Sequence, residues 1–243
     1  MRGWWHEIAG LVLPVACGGC GEPRTRLCED CGWQLAGRRA RRVRPCPEPA
    51  ELPVVFAAAR YEDAVRAVLL AHKERGALGL ARPLGGALAG AVRAAVPEAD
   101  QARAAQPLML VPVPSARSAV RARGHDATRR VAVAAAGILR RSGVPAGALP
   151  VLRQCRPVAD QSGLTARERQ ANMAGALMVP AGAGRLLKDR RVVLVDDVMT
   201  TGASLAEAAR ALRAATAADF RGHAPLSAAV VAAPPLSFGA DRN

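Results

Sequence analysis

Two adjacent carboxylates, Asp196 and Asp197, stand at the end of an apolar run in the stretch RVVLVDDVMTTGASL, residues 191–205. Because neighbouring residues of a strand face opposite ways, we expect the pair to lie where the strand ends and the backbone turns. Ser204 follows the turn and is placed to cap a helix that begins at Leu205. The stretch therefore predicts a strand, a polar loop and a helix, with two acids at the junction.

This arrangement favours a ligand that carries both a phosphate and hydroxyl groups. A helix N-terminus with hydroxyl side chains and unpaired amides binds phosphate. Two carboxylates would repel that phosphate, so they should face hydroxyls, or a divalent metal held beside those hydroxyls. Ribose 5-phosphate meets both demands, because its diol and its phosphate lie at opposite ends of one sugar. The alternative is an acidic pair that merely closes an ordinary strand, loop and helix.

The same residues, VVLVDDVMTTGAS at positions 192–204, resemble the signature of the type I phosphoribosyltransferases. The resemblance implies that Asp196 and Asp197 bind the ribose hydroxyls of phosphoribosyl pyrophosphate (PRPP) and are catalytic. It implies that Mg²⁺ accompanies PRPP. The residues implied to hold the 5-phosphate are Met199, Thr200, Thr201, Gly202, Ala203 and Ser204.

Four cysteines near the N-terminus form two CxxC pairs: Cys17, Cys20, Cys28 and Cys31. Each pair precedes a glycine, Gly21 or Gly32, which can adopt positive φ so that backbone amides point at the sulfurs. The spacing predicts a structural Zn²⁺ site with four thiolates and no open position for chemistry. Disulfides and a redox CxxC are the alternatives. The remaining cysteines, Cys46 and Cys155, are predicted to be inert.

Two further segments, VPVPSARSAVRARGHDAT at 111–128 and DQSGLTARERQANMAGAL at 160–177, resemble the competence proteins of the ComF family. Those proteins join a cysteine-rich finger to a phosphoribosyltransferase domain. The resemblance implies a pyrophosphate-binding loop at 115–117, two further basic residues, and a mobile flap at 161–172. The residues implied for these roles are Ser115, Ala116, Arg117, Arg121, Arg123, Gln161, Arg167 and Arg169. For each arginine a solvated surface role is the alternative.

One departure from the family pattern lies near the expected pyrophosphate site. The Phe and Asn that the family carries after RxRG are His125 and Asp126 in this chain. An additional acid beside a pyrophosphate is electrostatically unfavourable. The sequence therefore leaves open whether that segment binds PRPP.

The predicted elements alternate between strands and helices after residue 53. Apolar runs predict strands over 54–61, 108–114, 192–195 and 227–234, and helical patterns occur at 64–76, 77–96, 127–141 and 204–215. Such alternation predicts a parallel sheet with ligands at the carboxyl ends of its strands. His72 and Lys73 lie at a helix end, which we expect them to cap.

We therefore expect an α/β protein with the type I phosphoribosyltransferase fold and a small N-terminal zinc finger with four cysteine ligands. The expected domains are a finger with a short N-terminal helix at 1–36, an Arg- and Pro-rich linker at 37–52, and a phosphoribosyltransferase domain at 53–243. The helix rests on Trp4, Trp5, Leu11 and Leu13.

Composition adds a bias toward anionic partners. The formal charge is +14, and the hydrophobic content is 51% with only 3% aromatic residues. Such a charge predicts attraction to phosphates or nucleic acid, although GC-rich coding also enriches arginine. No long apolar segment and no secretory signal are apparent, so we expect a cytoplasmic protein without an integral membrane segment.

Three functions stay open at this point. The first is a Mg²⁺-dependent phosphoribosyltransferase with an unidentified acceptor. The second is a ComF-like factor in DNA uptake that binds single-stranded DNA. The third is a PRPP-sensing domain without catalysis. Neither the acceptor nor the oligomeric state follows from the residues.

Overall fold

A computed structural model describes residues 15–96, 106–159, 163–216 and 226–239 of the chain. The expected N-terminal helix and Gln161 lie outside these ranges. The described strands are β1 (Arg41–Val43), β2 (Val54–Arg60), β3 (Leu108–Pro112), β4 (Ala146–Ala148), β5 (Arg153–Gln154), β6 (Leu177–Met178), β7 (Arg191–Val198) and β8 (Ser227–Ala233).

Six of these strands form one sheet in the order β1-β2-β8-β7-β3-β4. The edge strand β1 is antiparallel to β2, and the other neighbouring strands are parallel. Strands β5 and β6 form a separate antiparallel pair. The α/β class with a mostly parallel sheet, expected from the alternation of strands and helices, is confirmed.

The helices in the described ranges are α1 (Glu29–Ala36), α2 (Asp63–Lys73), α3 (Ala81–Ala95), α4 (Arg117–Arg123), α5 (Ala127–Arg141), α6 (Ala166–Met173) and α7 (Ala203–Thr216). Short 3-10 turns occupy Leu78–Leu80, Ala183–Leu187 and Pro235–Phe238. Across the described part of the chain, none of the helices combines the length and the apolar character that a membrane crossing requires.

Both faces of the sheet are buried, which explains the continuous apolar runs of its strands. On β7, Val193 and Val195 face a core that includes residues of α1, α2, α3 and α5. Leu194 faces the opposite core, which includes residues of α7 and of the segment 173–179. Helices therefore cover the sheet on two sides, and its carboxyl edge is where polar residues collect.

The segment 37–52, expected as a linker, packs along this domain. It contributes β1, which pairs with β2 through Val43 and Val55. Near the end of the segment, Glu51 accepts hydrogen bonds from Arg213 of α7 at its carbonyl oxygen and at its carboxylate. The finger is also joined to the domain, because Leu35 of α1 is 1% exposed and lies in the core beside α2 and α3. The expected linker is therefore part of the sheet and its surroundings.

A buried acid, Glu207 of α7, holds the β5–β6 pair against the sheet domain. Its carboxylate is 5% exposed and accepts from the backbone amide of Leu177 at 3.0 Å. Arg210, one turn later, donates to both carboxylate oxygens at 2.7 and 2.8 Å. Burial raises the pKa of Glu207, but the guanidinium of Arg210 and the backbone donors outweigh burial and lower it.

Replacing Glu207 by Ala is expected to destabilise the fold by about 2–3 kcal/mol, because a buried amide and the guanidinium lose a charged acceptor. Urea unfolding of the wild type and of Glu207→Ala measures the difference, with Glu51→Ala as the exposed control. Since the pKa of Glu207 is lowered on folding, its contribution is present above the ordinary Glu pKa and is lost as the pH falls through the folded value. A difference that is the same at pH 7 and at pH 3 would contradict this account.

Candidate functional site

The two acids lie within β7, not after it. The strand extends to Val198 because its ladder with β8 continues through Asp196 opposite Val230 and Val198 opposite Ala232. The expectation that the pair sits at a turn beyond the strand is therefore wrong. Each carboxylate instead accepts a hydrogen bond from the backbone amide of the next residue. Oδ1 of Asp196 accepts from the Asp197 amide at 2.8 Å. Oδ1 of Asp197 accepts from the Val198 amide at 2.8 Å.

The two carboxylates have different partners and different proton affinities. Asp197 is 5% exposed, and its Oδ2 lies 2.7 Å from Nζ of Lys73 at the end of α2. Thr128 of α5 donates its hydroxyl to Oδ1 of Asp196 at 3.4 Å. Burial and the charge of Asp197 raise the pKa of Asp196 well above its ordinary value. Burial also acts on Asp197, but the Lys73 ammonium outweighs it and lowers the pKa of Asp197.

The loop between β7 and α7 turns sharply at Gly202. This residue has φ +77, and a methyl group there would meet Leu52 Cδ1 at 3.0 Å, so glycine suits both the conformation and the space. Helix α7 begins at Ala203, whose amide donates to Oγ1 of Thr201 at 3.5 Å. The expectation that Ser204 caps a helix starting at Leu205 is therefore wrong, because Ser204 already lies in the first turn. That turn supplies the amides and the positive end of the helix dipole.

Met199 differs from the rest of this loop. Its side chain is 2% exposed in the core, and its amide donates to the carbonyl oxygen of Ala232 at 3.0 Å. Met199 therefore fixes the path of the backbone, while the residues that present polar groups at the sheet edge begin at Thr200.

A series of contacts through the start of α5 links the segment 115–117 to the acid pair. Ser115 donates its hydroxyl to Oδ1 of Asp126 at 3.3 Å. Asp126 is the N-cap of α5 and accepts from the amide of Arg129 at 3.0 Å. Two residues later, Thr128 contacts Asp196. The unexpected acid after RxRG thus has a structural role as a helix cap.

Helix α6, part of the expected flap, lies beside the loop that follows β7. Its N-terminus carries a capping box in which Thr165 and Glu168 satisfy each other's backbone amides. Arg169, one residue later, donates from Nη1 to Oγ1 of Thr200 at 3.2 Å. The arginine is therefore already in contact with the loop that follows the acids.

The remaining basic residues named from the sequence lie elsewhere. Arg121 and Arg167 are exposed on α4 and α6. Arg123 is turned toward the end of α2, where Nη1 donates to the carbonyl oxygen of Lys73 at 3.3 Å and lies 3.6 Å from Oε1 of Glu74. Arg123 thus supports α2, and the ion that reaches the acid pair from that side is Lys73.

Lys73 is the residue of this site that the sequence did not reveal. We expected it to cap a helix end, because a lysine beside the last carbonyls of a helix is typical of a cap. It lies far before Asp197 in the chain, and no short motif links the two. The only available signal was its rarity, since Lys188 is the other lysine of the chain.

The four cysteines converge as their spacing predicted. Their sulfur atoms lie within 4.8 Å of one another, and Cys28 Sγ lies 3.7 Å from Cys17 Sγ and 3.6 Å from Cys20 Sγ. These separations are too long for disulfides and close to the roughly 3.8 Å edge of a tetrahedron with Zn–S bonds of about 2.3 Å. The four thiols could therefore hold a metal ion such as Zn²⁺.

Backbone amides point at the cysteine sulfurs, as a thiolate site requires. The amides of Gly19 and Cys28 donate to Sγ of Cys17 at 3.4 and 3.3 Å. Burial raises the pKa of Cys17, but these backbone donors outweigh it and lower the pKa to about 6. Gly21 has φ +85, as expected, whereas Gly32 lies within α1. The expectation of a positive φ at Gly32 is therefore wrong, because the second CxxC opens a helix.

Comparison with protein families identifies the class of domain. Residues 128–235 match the family model described as phosphoribosyl transferase domain. The matched range begins at the second residue of α5 and contains β7, the acid pair and the loop before α7. A comparison with curated proteins finds no match. The chain therefore contains a phosphoribosyltransferase domain, and the cysteine cluster stands near its N-terminus outside the matched range.

Replacing Cys28 by Ser is expected to lower the zinc content of the purified protein from about one atom per chain to well below half, because one of four thiolates is lost. Elemental analysis of the purified protein measures the content. Cys46→Ser is the matched control, since Cys46 is exposed and lies outside the cluster. Full zinc content in Cys28→Ser, or none in the wild type, would contradict the assignment.

Proposed function

We propose that this chain is a ComF-family protein whose phosphoribosyltransferase domain binds PRPP and transfers its 5-phosphoribosyl group to an acceptor. The observation that carries the proposal is the placement of Asp196 and Asp197 directly before a loop that ends in the first turn of α7. Carboxylates on the strand and amides at the helix start match the two ends of one phosphorylated sugar.

Each part of the site has a separate task in this proposal. Asp196 and Asp197 accept hydrogen bonds from the ribose hydroxyls, and the loop from Thr200 to Ser204 binds the 5-phosphate. Arg169 already contacts Thr200 and adds positive charge beside that phosphate. The loop at 115–117, which is joined to α5 through Ser115 and Asp126, receives the pyrophosphate. This division places the sugar's C1 between the acids and the pyrophosphate loop.

The chemistry then follows from charge. When the bond between C1 and the pyrophosphate oxygen lengthens, positive charge develops on the sugar ring, and the carboxylates of β7 stabilise it. The acceptor's nucleophile forms the new bond to C1, and the electron pair of the broken bond leaves with the pyrophosphate. No covalent intermediate with the protein is needed. The oriented carboxylates and the phosphate-binding loops are what the protein contributes.

Mg²⁺ belongs to this proposal as a companion of PRPP. Within the described ranges, the cysteine cluster is the one place where three or more His, Cys, Asp or Glu ligands converge. A magnesium ion would therefore be held mainly by the pyrophosphate and the ribose hydroxyls, beside Asp196 and Asp197, as is usual for this ion. Bound there, the ion would supply positive charge that offsets the charge of the pyrophosphate.

Replacing both acids by Asn is expected to weaken PRPP binding by at least about 100-fold, because two hydrogen bonds to charged acceptors are lost. Isothermal titration calorimetry with PRPP and Mg²⁺ measures the affinity. Asp189→Asn is the matched control, since Asp189 is exposed before β7. Thermal unfolding of the double variant separates lost binding from lost folding. Unchanged affinity in a folded double variant would overturn the proposal.

A second candidate function, binding of single-stranded DNA, has its own observation. Trp33 of α1 is 57% exposed, and the guanidinium of Arg38 lies 5.6 Å from the centroid of its ring. Exposed arginines continue along the chain at Arg39, Arg41 and Arg42. An exposed indole with a guanidinium over its ring, on a segment that carries further exposed arginines, offers a base a stacking surface and the backbone its countercharge.

Replacing Trp33 by Ala is expected to weaken the binding of an oligothymidylate by about tenfold, through loss of one stacking platform. Leu186→Ala, also at an exposed apolar side chain, is the control. Replacing Arg39 and Arg42 by Gln should lower the slope of log affinity against log salt by about 0.7 for each phosphate contact removed. Fluorescence anisotropy at several salt concentrations measures both effects. Affinity that is independent of salt would exclude this function.

A further inference from the structure

The ammonium group of Lys73 lies at the acid pair and has no role in the chemistry proposed above. Its Nζ lies 2.7 Å from Oδ2 of Asp197, whose side chain is 7% exposed, while the lysine side chain is 35% exposed. The ion pair thus joins a buried carboxylate to a partly exposed cation at the carboxyl end of β7. If Lys73 capped α2, its ammonium would face carbonyl oxygens of that helix. The ammonium instead faces the carboxylate of Asp197 on β7.

The surroundings of Lys73 hold it in this position. Arg123, with a side chain 12% exposed, donates to the carbonyl oxygen of Lys73 at 3.3 Å. His72, the preceding residue, is 2% exposed, and its Nδ1 lies 3.3 Å from the carbonyl oxygen of Ala77. The end of α2 is therefore held by the hydrogen bond from Arg123 of α4 and by the contact of His72 with the turn that follows the helix. The lysine side chain itself is 35% exposed.

A ribose hydroxyl that binds Asp197 would share the carboxylate with Lys73. Its Oδ1 already accepts from the Val198 amide, and its Oδ2 faces Lys73. Each of these oxygens can accept a second hydrogen bond, so a hydroxyl that donates to either one becomes a neighbour of the ammonium. In either case, Lys73 retains donors that Asp197 does not use, since an ammonium has three.

The chemistry of PRPP places the pyrophosphate where such a donor can reach it. The 2-hydroxyl and the pyrophosphate are on neighbouring carbons of the ribose. A cation that touches the acceptor of a ring hydroxyl is therefore close to the leaving group as well. Lys73 also lies beside Arg123, the last residue of the helix that follows the 115–117 loop.

We propose that Lys73 is a substrate-contacting residue, which holds Asp197 in the free protein and donates to the pyrophosphate of PRPP when the ribose hydroxyls bind. This assignment rests on the proposed function and names the residue that recognises the leaving group. Through Lys73, the last turn of α2 discriminates PRPP from a ribose phosphate that lacks the pyrophosphate. Arg123 is the positioning residue that keeps the α2 terminus in place.

The test compares two ligands, PRPP and ribose 5-phosphate, in the full-length protein at pH 8 with Mg²⁺. We expect Lys73→Met to weaken PRPP binding by about 10- to 100-fold, as loss of a charge-assisted contact predicts. Ribose 5-phosphate, which lacks the pyrophosphate, should lose no more than about threefold. The ratio of the two affinities, measured by calorimetry, is therefore expected to fall by at least about threefold. Lys73→Arg should restore part of it.

Controls separate this assignment from a structural effect and from failure of the proposed function. Lys188→Met changes the other lysine, which is exposed, and should leave both affinities unchanged. Equal weakening of both ligands in Lys73→Met would show that the lysine only supports Asp197 and would overturn the assignment. A wild type that binds PRPP and a variant with an unchanged ratio would overturn the assignment alone. A wild type that binds neither ligand would overturn the proposed function and this assignment with it.

Discussion

Two neighbouring carboxylates on a buried strand repel each other and lose hydration, so the protein must compensate for both effects. On β7 the compensation is local for one oxygen of each acid, because the next amide along the strand donates to it. Further compensation comes from elements distant in sequence, because Lys73 of α2 pairs with Oδ2 of Asp197 and Thr128 of α5 donates to Oδ1 of Asp196. The acid pair therefore lies where these elements meet.

The parallel sheet explains why they meet there. Strands β2, β3, β7 and β8 run in one direction, so the segments that leave their carboxyl ends collect at one edge. After β3 the chain forms the 115–117 loop and the start of α5, and after β7 it forms the loop before α7. Helix α2 follows β2, and its last residue, Lys73, lies next to the acids. One edge thus holds the anions, their counter-ion and the amides of α7.

Much of this arrangement follows from sequence pattern, and the exceptions have physical reasons. The helix at 127–141 was predicted with its observed limits, because its apolar spacing is regular. Asp126 could have been recognised as its N-cap, since Asp directly before such a pattern is a helix-start signal. The end of β7 was misplaced because periodicity does not report how far a neighbouring strand continues its ladder. Lys73 was missed because its partner is distant in sequence, and local spacing describes neighbours only.

The cysteine cluster is tied to the same site through α2. A side chain at Gly19 would meet Cys31 Sγ at 2.6 Å and the Cβ of Ala64 at 3.3 Å, so the finger's first loop packs directly on α2. On the other side, Cys31 is 2% exposed and Leu35 lies in the shared core. Helix α2 therefore lies beside the cysteine cluster, with Lys73 as its last residue. The packing of the finger on one side of this helix and the hydrogen bond from Arg123 at its terminus together hold the residue that carries the counter-ion of the acids.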